Sequence, residues 1–165
     1  VRALQRPGAL AALAANPKAG LCLMHMKGEP TDMQALAEYD DVVAEVRDFL
    51  AQRLQAVEAA GVQAERVVLD PGIGFAKSPD HNLALTARMD ELQVLGRPLL
   101  VGWSRKGTLG RITGRAVADR LAASVAAALA AVQHGAAIVR VHDVAATVDA
   151  LKVWRAVARG RLTEA

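Results

Sequence analysis

Cysteine occurs once in the 165 residues, at Cys22, so no internal disulfide can form and a reducing, cytoplasmic setting is the default. Aromatic residues make up only 3%, which argues against a β-sandwich. No apolar run reaches the roughly 18 residues that span a bilayer. The longest, at 121–132, is interrupted by Ser124, and no secretory leader is visible. Neither sign of charge dominates: 20 Lys and Arg against 17 Asp and Glu leave +3. The densest basic cluster, Arg105-Lys106 with Arg111 and Arg115, is too short and too poor in aromatics for a nucleic-acid stripe. No G-x-G-x-x-G follows the first apolar run, which lowers a dinucleotide-binding reading, and no nucleophile elbow is present. His25, between Met24 and Met26, has no second ligand at metal spacing, so packing is the better reading for it. The chain opens on Val1 rather than methionine and is expected to be a piece of a longer or processed protein.

What the sequence does have is apolar mass. Apolar residues reach 53%, charged residues 22%, and alanine alone occurs 35 times. That suits one helix-rich globular domain with a sizeable core. Short apolar runs at 20–25 (GLCLMH), 66–70 (RVVLD), 98–102 (PLLVG) and 137–142 (AIVRVH) read as strands covered on both faces. Cys22 falls inside the first and is expected in the core.

Helices are expected between the strands. Over 40–60, Val42, Val43, Val46, Phe49, Leu50, Leu54 and Val57 recur at three- and four-residue spacings, with aspartates at the start and Gly61 at the stop. Ser78-Pro79 is an N-cap followed by a first-turn proline, opening a helix through Leu85, Met89, Leu92 and Leu95 to Gly96. Further helices are expected over 116–134 and, capped by Asp143, up to Gly160, with a short one over 8–16. Strict α-β alternation implies parallel strands with right-handed crossovers. An open doubly wound sheet and a (β/α) barrel both satisfy the pattern.

Each strand ends in polar or glycine-rich sequence, at the end where α/β folds place ligands. Arg140 and His142 are two residues apart, hence on one strand face, and together suit an oxyanion; a structural alternative is Arg140 paired with Asp143. Asp70 opens a glycine-rich turn and either receives a nitrogen heterocycle or caps the turn. Lys106 either meets a ligand or is a solvated surface lysine. His81 and His134 look like helix-terminal residues.

Four segments carry a resemblance: LCLMHMKGEPTDMQ at 21–34, LDPGIGFAKSPDHN at 69–82, LLVGWSRKGTLG at 99–110 and IVRVHDV at 138–144. Together, in order and with compatible gaps, they resemble dihydropteroate synthase over nearly the whole chain. The resemblance implies an eight-stranded TIM barrel that joins 6-hydroxymethyl-7,8-dihydropterin diphosphate to p-aminobenzoate, a folate-synthesis step and the target of sulfonamides. It implies that Asp70 and Lys106 bind the pterin, that Met24 and Phe75 line its pocket, and that Gly102 lets the ring approach the strand. Arg140 and His142 would hold the diphosphate, and Lys106, Arg140 and His142 would be the catalytic residues. Ser104 would lie near the p-aminobenzoate carboxylate, with Lys106 and Phe75 flanking that ring. Magnesium is implied as cofactor, held mainly by the diphosphate and by groups outside this chain, with no metal ligand here. A homodimer through the last two helices is implied, with no nucleic-acid or membrane partner.

Two departures stand out. Gly107 takes the place of a common serine, leaving only a backbone N–H for the carboxylate. A TIM barrel typically runs to about 250 residues. Residues 1–165 therefore read as the C-terminal half of a pterin-binding barrel: a partial (β/α)8 fold holding strands five to eight, after a tail of the fourth unit at 1–10. Two other functions compete: a pterin-binding methyl-transfer barrel, and a non-catalytic half-barrel that serves only assembly.

Overall fold

The computed structural model describes residues 2–162. Val1 and residues 163–165, at the two ends of the expected domain, lie outside the described residues. Within them the fold is α/β. The elements are α1 (Ala9–Ala14), β1 (Leu21–Met24), α2 (Val42–Ala59), β2 (Val67–Asp70), α3 (Pro79–Ala87), α4 (Asp90–Gln93), β3 (Leu100–Val101), α5 (Gly107–Thr113), α6 (Leu121–Gln133), β4 (Ile138–Val139) and α7 (Val144–Arg159).

The strands are parallel. β1 pairs with β2 from Leu21↔Val67 to Met24↔Asp70, and β3 pairs with β4 through Leu100↔Ile138 and Val101↔Val139. A single parallel bridge, Leu69↔Leu99, joins β2 to β3, so the spatial order follows the chain. Period two sorts the side chains. Leu23, Val67, Leu69, Leu99 and Val101 enter one core with Val43, Val46, Leu50 and Val57 of α2, Leu85 of α3 and Leu92 of α4. Burying each such side chain fully contributes about 1.5–3 kcal/mol. Met24, Asp70, Gly102 and Arg140 have the opposite parity and fall on the other face of the strands.

That second face is not covered as expected. Cys22, two residues before Met24, is exposed rather than buried in the core, and Ile138 is 41% exposed. The helices pack on the face that carries Leu23, and nothing among the described residues closes over Cys22.

Local signals decide most helix ends. Asp41 caps α2, its carboxylate accepting the N–H groups of Val43 and Ala44. Ser78 caps α3 in a box completed by His81, whose ring accepts the Ser78 N–H. Gly160 ends α7 in the left-handed conformation. Four expectations are corrected. The helix expected from 79 to 96 is two, broken at Arg88, whose guanidinium is held by Asp41 and Glu91. The helix expected over 116–134 starts at Leu121, after a 3-10 turn at Val117–Asp119. A helix, α5, occupies Gly107–Thr113, where none is expected, and Gly114 ends it in the left-handed conformation. The strand expected to reach 142 stops at Val139, although the Arg140 N–H still donates to the Val101 carbonyl at 2.9 Å. No helix among the described residues is long and apolar enough to cross a membrane.

Candidate active site

A cavity of about 380 Å³ opens at the C-terminal ends of the strands, within the size range of small-ligand sites. Met24, Phe75, Gly102, Ser104, Lys106, Arg140, Val141 and His142 line it. A larger groove, about 470 Å³, lies between α3, α5 and α6. Its walls are mostly alanine, leucine and isoleucine without converging charges, so chemistry points to the smaller cavity.

Asp70 ends β2 and is 1% exposed. Its Oδ1 accepts the Gly72 N–H at 2.7 Å, and its Oδ2 accepts from Arg140 Nη2 at 3.2 Å. Burial pushes its carboxyl above the usual range, against the pull of the Gly72 N–H, Arg140 and Lys77. Arg140 therefore pairs with Asp70 across the mouth, not with Asp143. Asp143 is held by Arg105, at 2.8 Å, and its side chain makes no cap to α7, contrary to expectation.

The turn after β2 brings Phe75 beneath Lys106, whose Nζ sits 4.1 Å from the ring centroid. Lys106 thus lines the cavity instead of standing free in solvent, and its ammonium is shifted downward by burial and by Arg140. Gly72 and Gly74 of the turn have φ of +73° and +79°. A Cβ on Gly72 would strike the His25 carbonyl, while one on Gly74 would meet the Lys106 side chain at 2.9 Å. Over Gly102 stands the Arg140 guanidinium, 3.1 Å from where a Cβ would lie.

Ser104 is 5% exposed and lies under His142: its Oγ accepts the His142 N–H at 3.1 Å and is 2.9 Å from Nδ1. Every site residue expected from the sequence thus gathers at this one cavity, with Asp70 joined to it through Arg140.

Several supporting groups escaped sequence reasoning. Lys77 is 3% exposed, and its ammonium donates to the Phe75 carbonyl at 2.9 Å and to His25 Nδ1 at 2.9 Å. Burial lowers Lys77 to about 7, and burial with the Lys77 charge lowers His25 to about 3. His25 is packed as expected, edge-on to Phe49. Asn82, 1% exposed, accepts the Gly74 N–H at 2.7 Å and donates to Thr108 Oγ1 at 3.0 Å. It ties the Phe75 turn to α5. Trp103, for which no role was expected, is a core anchor donating to Thr86 Oγ1 at 2.9 Å. All four lie inside the segments that carry the resemblance, but their partners were not legible, because burial of a lysine or asparagine depends on what packs over it.

Among the described residues no three His, Cys, Asp or Glu side chains cluster as metal ligands. The charged lining of the cavity is cationic, and the adjoining Asp70 carboxylate is already engaged by Arg140. This donor set does not fit a magnesium ion.

The family model described as "Pterin binding enzyme" matches residues 1–142. A dihydropteroate synthase of Neisseria meningitidis serogroup B is 52% identical over 160 residues, covering 94% of this chain and 56% of that protein. The crystal structure of dihydropteroate synthase from Stenotrophomonas maltophilia with active site-bound imidazole superposes with a TM-score of 0.92 at 55% identity. It covers 96% of this chain and 60% of the other. The Xanthomonas albilineans enzyme in complex with 7,8-dihydropteroate gives a TM-score of 0.87 at 50% identity, over 96% of this chain and 57% of that one. The chain spans about half the length of the curated relatives it matches.

Proposed function

The chain belongs to the pterin-binding enzyme family, and from that premise we propose that it is the C-terminal half of a dihydropteroate synthase barrel, strands five to eight with their helices. The complete protein then joins 6-hydroxymethyl-7,8-dihydropterin diphosphate to p-aminobenzoate. The observation that carries the reading is the convergence of Asp70–Arg140, Lys106 over Phe75, and His142 on one cavity. An anchor for an amino-substituted heterocycle stands beside cations suited to a leaving diphosphate.

In the reaction the bond between the pterin methylene and the diphosphate oxygen breaks, with its electron pair leaving on the diphosphate. The arylamine nitrogen forms the new bond to that carbon and loses a proton. Asp70 receives the amino-pyrimidine edge of the pterin through its two oxygens. Met24, Phe75 and Gly102 bound the ring, and Lys106 lies at the junction between the pterin and p-aminobenzoate. Arg140 and His142 hold the diphosphate by charge-assisted hydrogen bonds as charge develops on it. Phe75, Ser104 and Lys106 form the p-aminobenzoate side of the cavity. Holding ring and amine in register supplies the rest of the acceleration. No step is assigned to magnesium, since the residues of this chain do not fit it; an ion would rest on the diphosphate and on groups outside the chain.

A methyl-transferring pterin barrel would need the Asp70 anchor but no paired phosphate donors at the mouth, and Arg140 with His142 favours the synthase. The chain alone is expected to be inactive, to self-associate through its last two helices, and to work in the cytoplasm. The test is complementation in a strain that lacks dihydropteroate synthase. The chain co-expressed with a separately encoded N-terminal half of a relative should restore growth, and the chain alone should not. Failure of the pair, with both halves soluble and associated, would favour the non-catalytic reading.

A further inference from the structure

The buried Ser104 hydroxyl is already engaged by His142. A serine hydroxyl carries one proton and two lone pairs. One lone pair takes the His142 backbone N–H at 3.1 Å. The proton then needs an acceptor, because a buried hydroxyl seldom goes without one. Among the described residues His142 Nδ1, at 2.9 Å, is the one acceptor it reaches. In the reverse arrangement Nδ1–H would donate to Oγ. The oxygen would then take two donors while its own proton stayed buried and unpaired.

A second contact holds the two segments in register. Arg105, the next residue after Ser104, is forked onto Asp143, the next residue after His142, at 2.8 and 3.3 Å. The Arg105 N–H in turn donates to Ser124 Oγ at 3.0 Å. The exposed imidazole is therefore fixed from its buried side, and Nε2 is the ring nitrogen left for a ligand.

We propose that Ser104 is the positioning residue of His142: its hydroxyl donates to Nδ1 and holds the neutral imidazole in the tautomer that carries its proton on Nε2. That tautomer offers an N–H to a phosphoryl oxygen, whereas the other would turn a lone pair toward it. The ligand part of this inference rests on the diphosphate reading given above; the tautomer does not.

The experiment labels the full-length protein with ¹⁵N-imidazole histidine and reads the ring shifts without ligand, at a pH where the ring is neutral. His142→Gln assigns the resonance. The wild type should show the Nε2–H tautomer for His142. Ser104→Ala should move it to a mixture of both tautomers, and Ser104→Thr, which keeps the hydroxyl, should restore it. Titration with inorganic diphosphate should show three- to tenfold weaker binding for Ser104→Ala and near wild-type binding for Ser104→Thr. A wild-type Nδ1–H tautomer, or shifts unchanged in Ser104→Ala, overturns the proposal, and the first result needs no variant to fold. If the tautomer responds as stated while diphosphate binds neither protein, the diphosphate reading fails and the role of Ser104 stands.

Discussion

Arg140 contacts Asp70, the proposed pterin anchor, as well as facing the proposed diphosphate side, so removing it should reach further than loss of an anion ligand. Its Nη2 donates to Oδ2 of an Asp70 that is 1% exposed. Hydrogen bonds to charged groups are worth about 1.5–3 kcal/mol. Here the low end applies: 3.2 Å is long for a charge-assisted pair, and the Arg140 side chain is 55% exposed and screened by water. About 1.4 kcal/mol is a factor of ten in a binding constant. Arg140→Ala should therefore raise Asp70 further above the usual carboxylate range, where burial has already put it. A pterin that bears no diphosphate isolates this effect, because it cannot touch Arg140 through an anion. Its affinity should follow the ionised fraction of Asp70, rising with pH. Calorimetric titration from pH 5 to 8 in the full-length protein should show the Arg140→Ala profile displaced to higher pH. The loss should be about tenfold where Asp70 is protonated and should close as pH rises. Asp70→Asn should abolish the profile, with no further loss on adding Arg140→Ala. A profile that does not move in Arg140→Ala would refute the coupling and leave Arg140 as a diphosphate ligand alone.

Two glycines of one turn should respond differently to the same methyl group. Gly72→Ala drives a Cβ into the fixed His25 carbonyl at positive φ and should cost about 3 kcal/mol in urea unfolding; a loss under about 1 kcal/mol would contradict the geometry. Gly74→Ala meets the mobile Lys106 instead and should lower turnover more than stability, which paired kinetics and unfolding would reveal. Stability should rise with pH in two windows, because both buried bases hold fewer protons folded than unfolded. His25, lowered from 6.5 to about 3, contributes between those values, and Lys77, lowered from 10.5 to about 7, contributes above 7. Urea midpoints from pH 5 to 9 should climb, and the rise above pH 7 should shrink in Lys77→Met. Val144, Val148, Val153 and Val157 of α7 are exposed, as is Ile138 of β4, so light scattering of the chain at low micromolar concentration should give a dimer or larger. A compact monomer would show that these surfaces need no cover.

The strands and the cavity were legible for one reason: short apolar runs ending in Asp-Pro-Gly, Gly-Trp-Ser and Arg-Val-His put polar groups at one end of every strand. Position parity then decides their side. Met24, Asp70, Gly102 and Arg140 alternate with the core residues Leu23, Leu69, Val101 and Val139, so they share the free face whatever the exact strand ends. The break at Arg88 was not legible, since Leu85, Met89 and Leu92 keep a helical period straight through it and all are fully buried. Nor was the exposure of Cys22, because a residue flanked by leucines looks the same whether its own face is covered or open.

By itself the sequence determined the alternation of elements, the caps at Asp41, Ser78 and Gly160, and the set of side chains that gather at the strand ends. These depend on near neighbours and on strand period, which the chain carries locally. Tertiary structure alone decided the partners. Asp70 meets Arg140 across 70 positions, His142 meets Ser104 across 38, and Lys77 meets His25 across 52. Charge would equally have allowed Arg140 with Asp143, and polarity would have left Lys77 in water. The choice was made by which strands lie side by side and by what packs over each group, because burial raises the cost of an unpaired charge until only the nearest partner satisfies it.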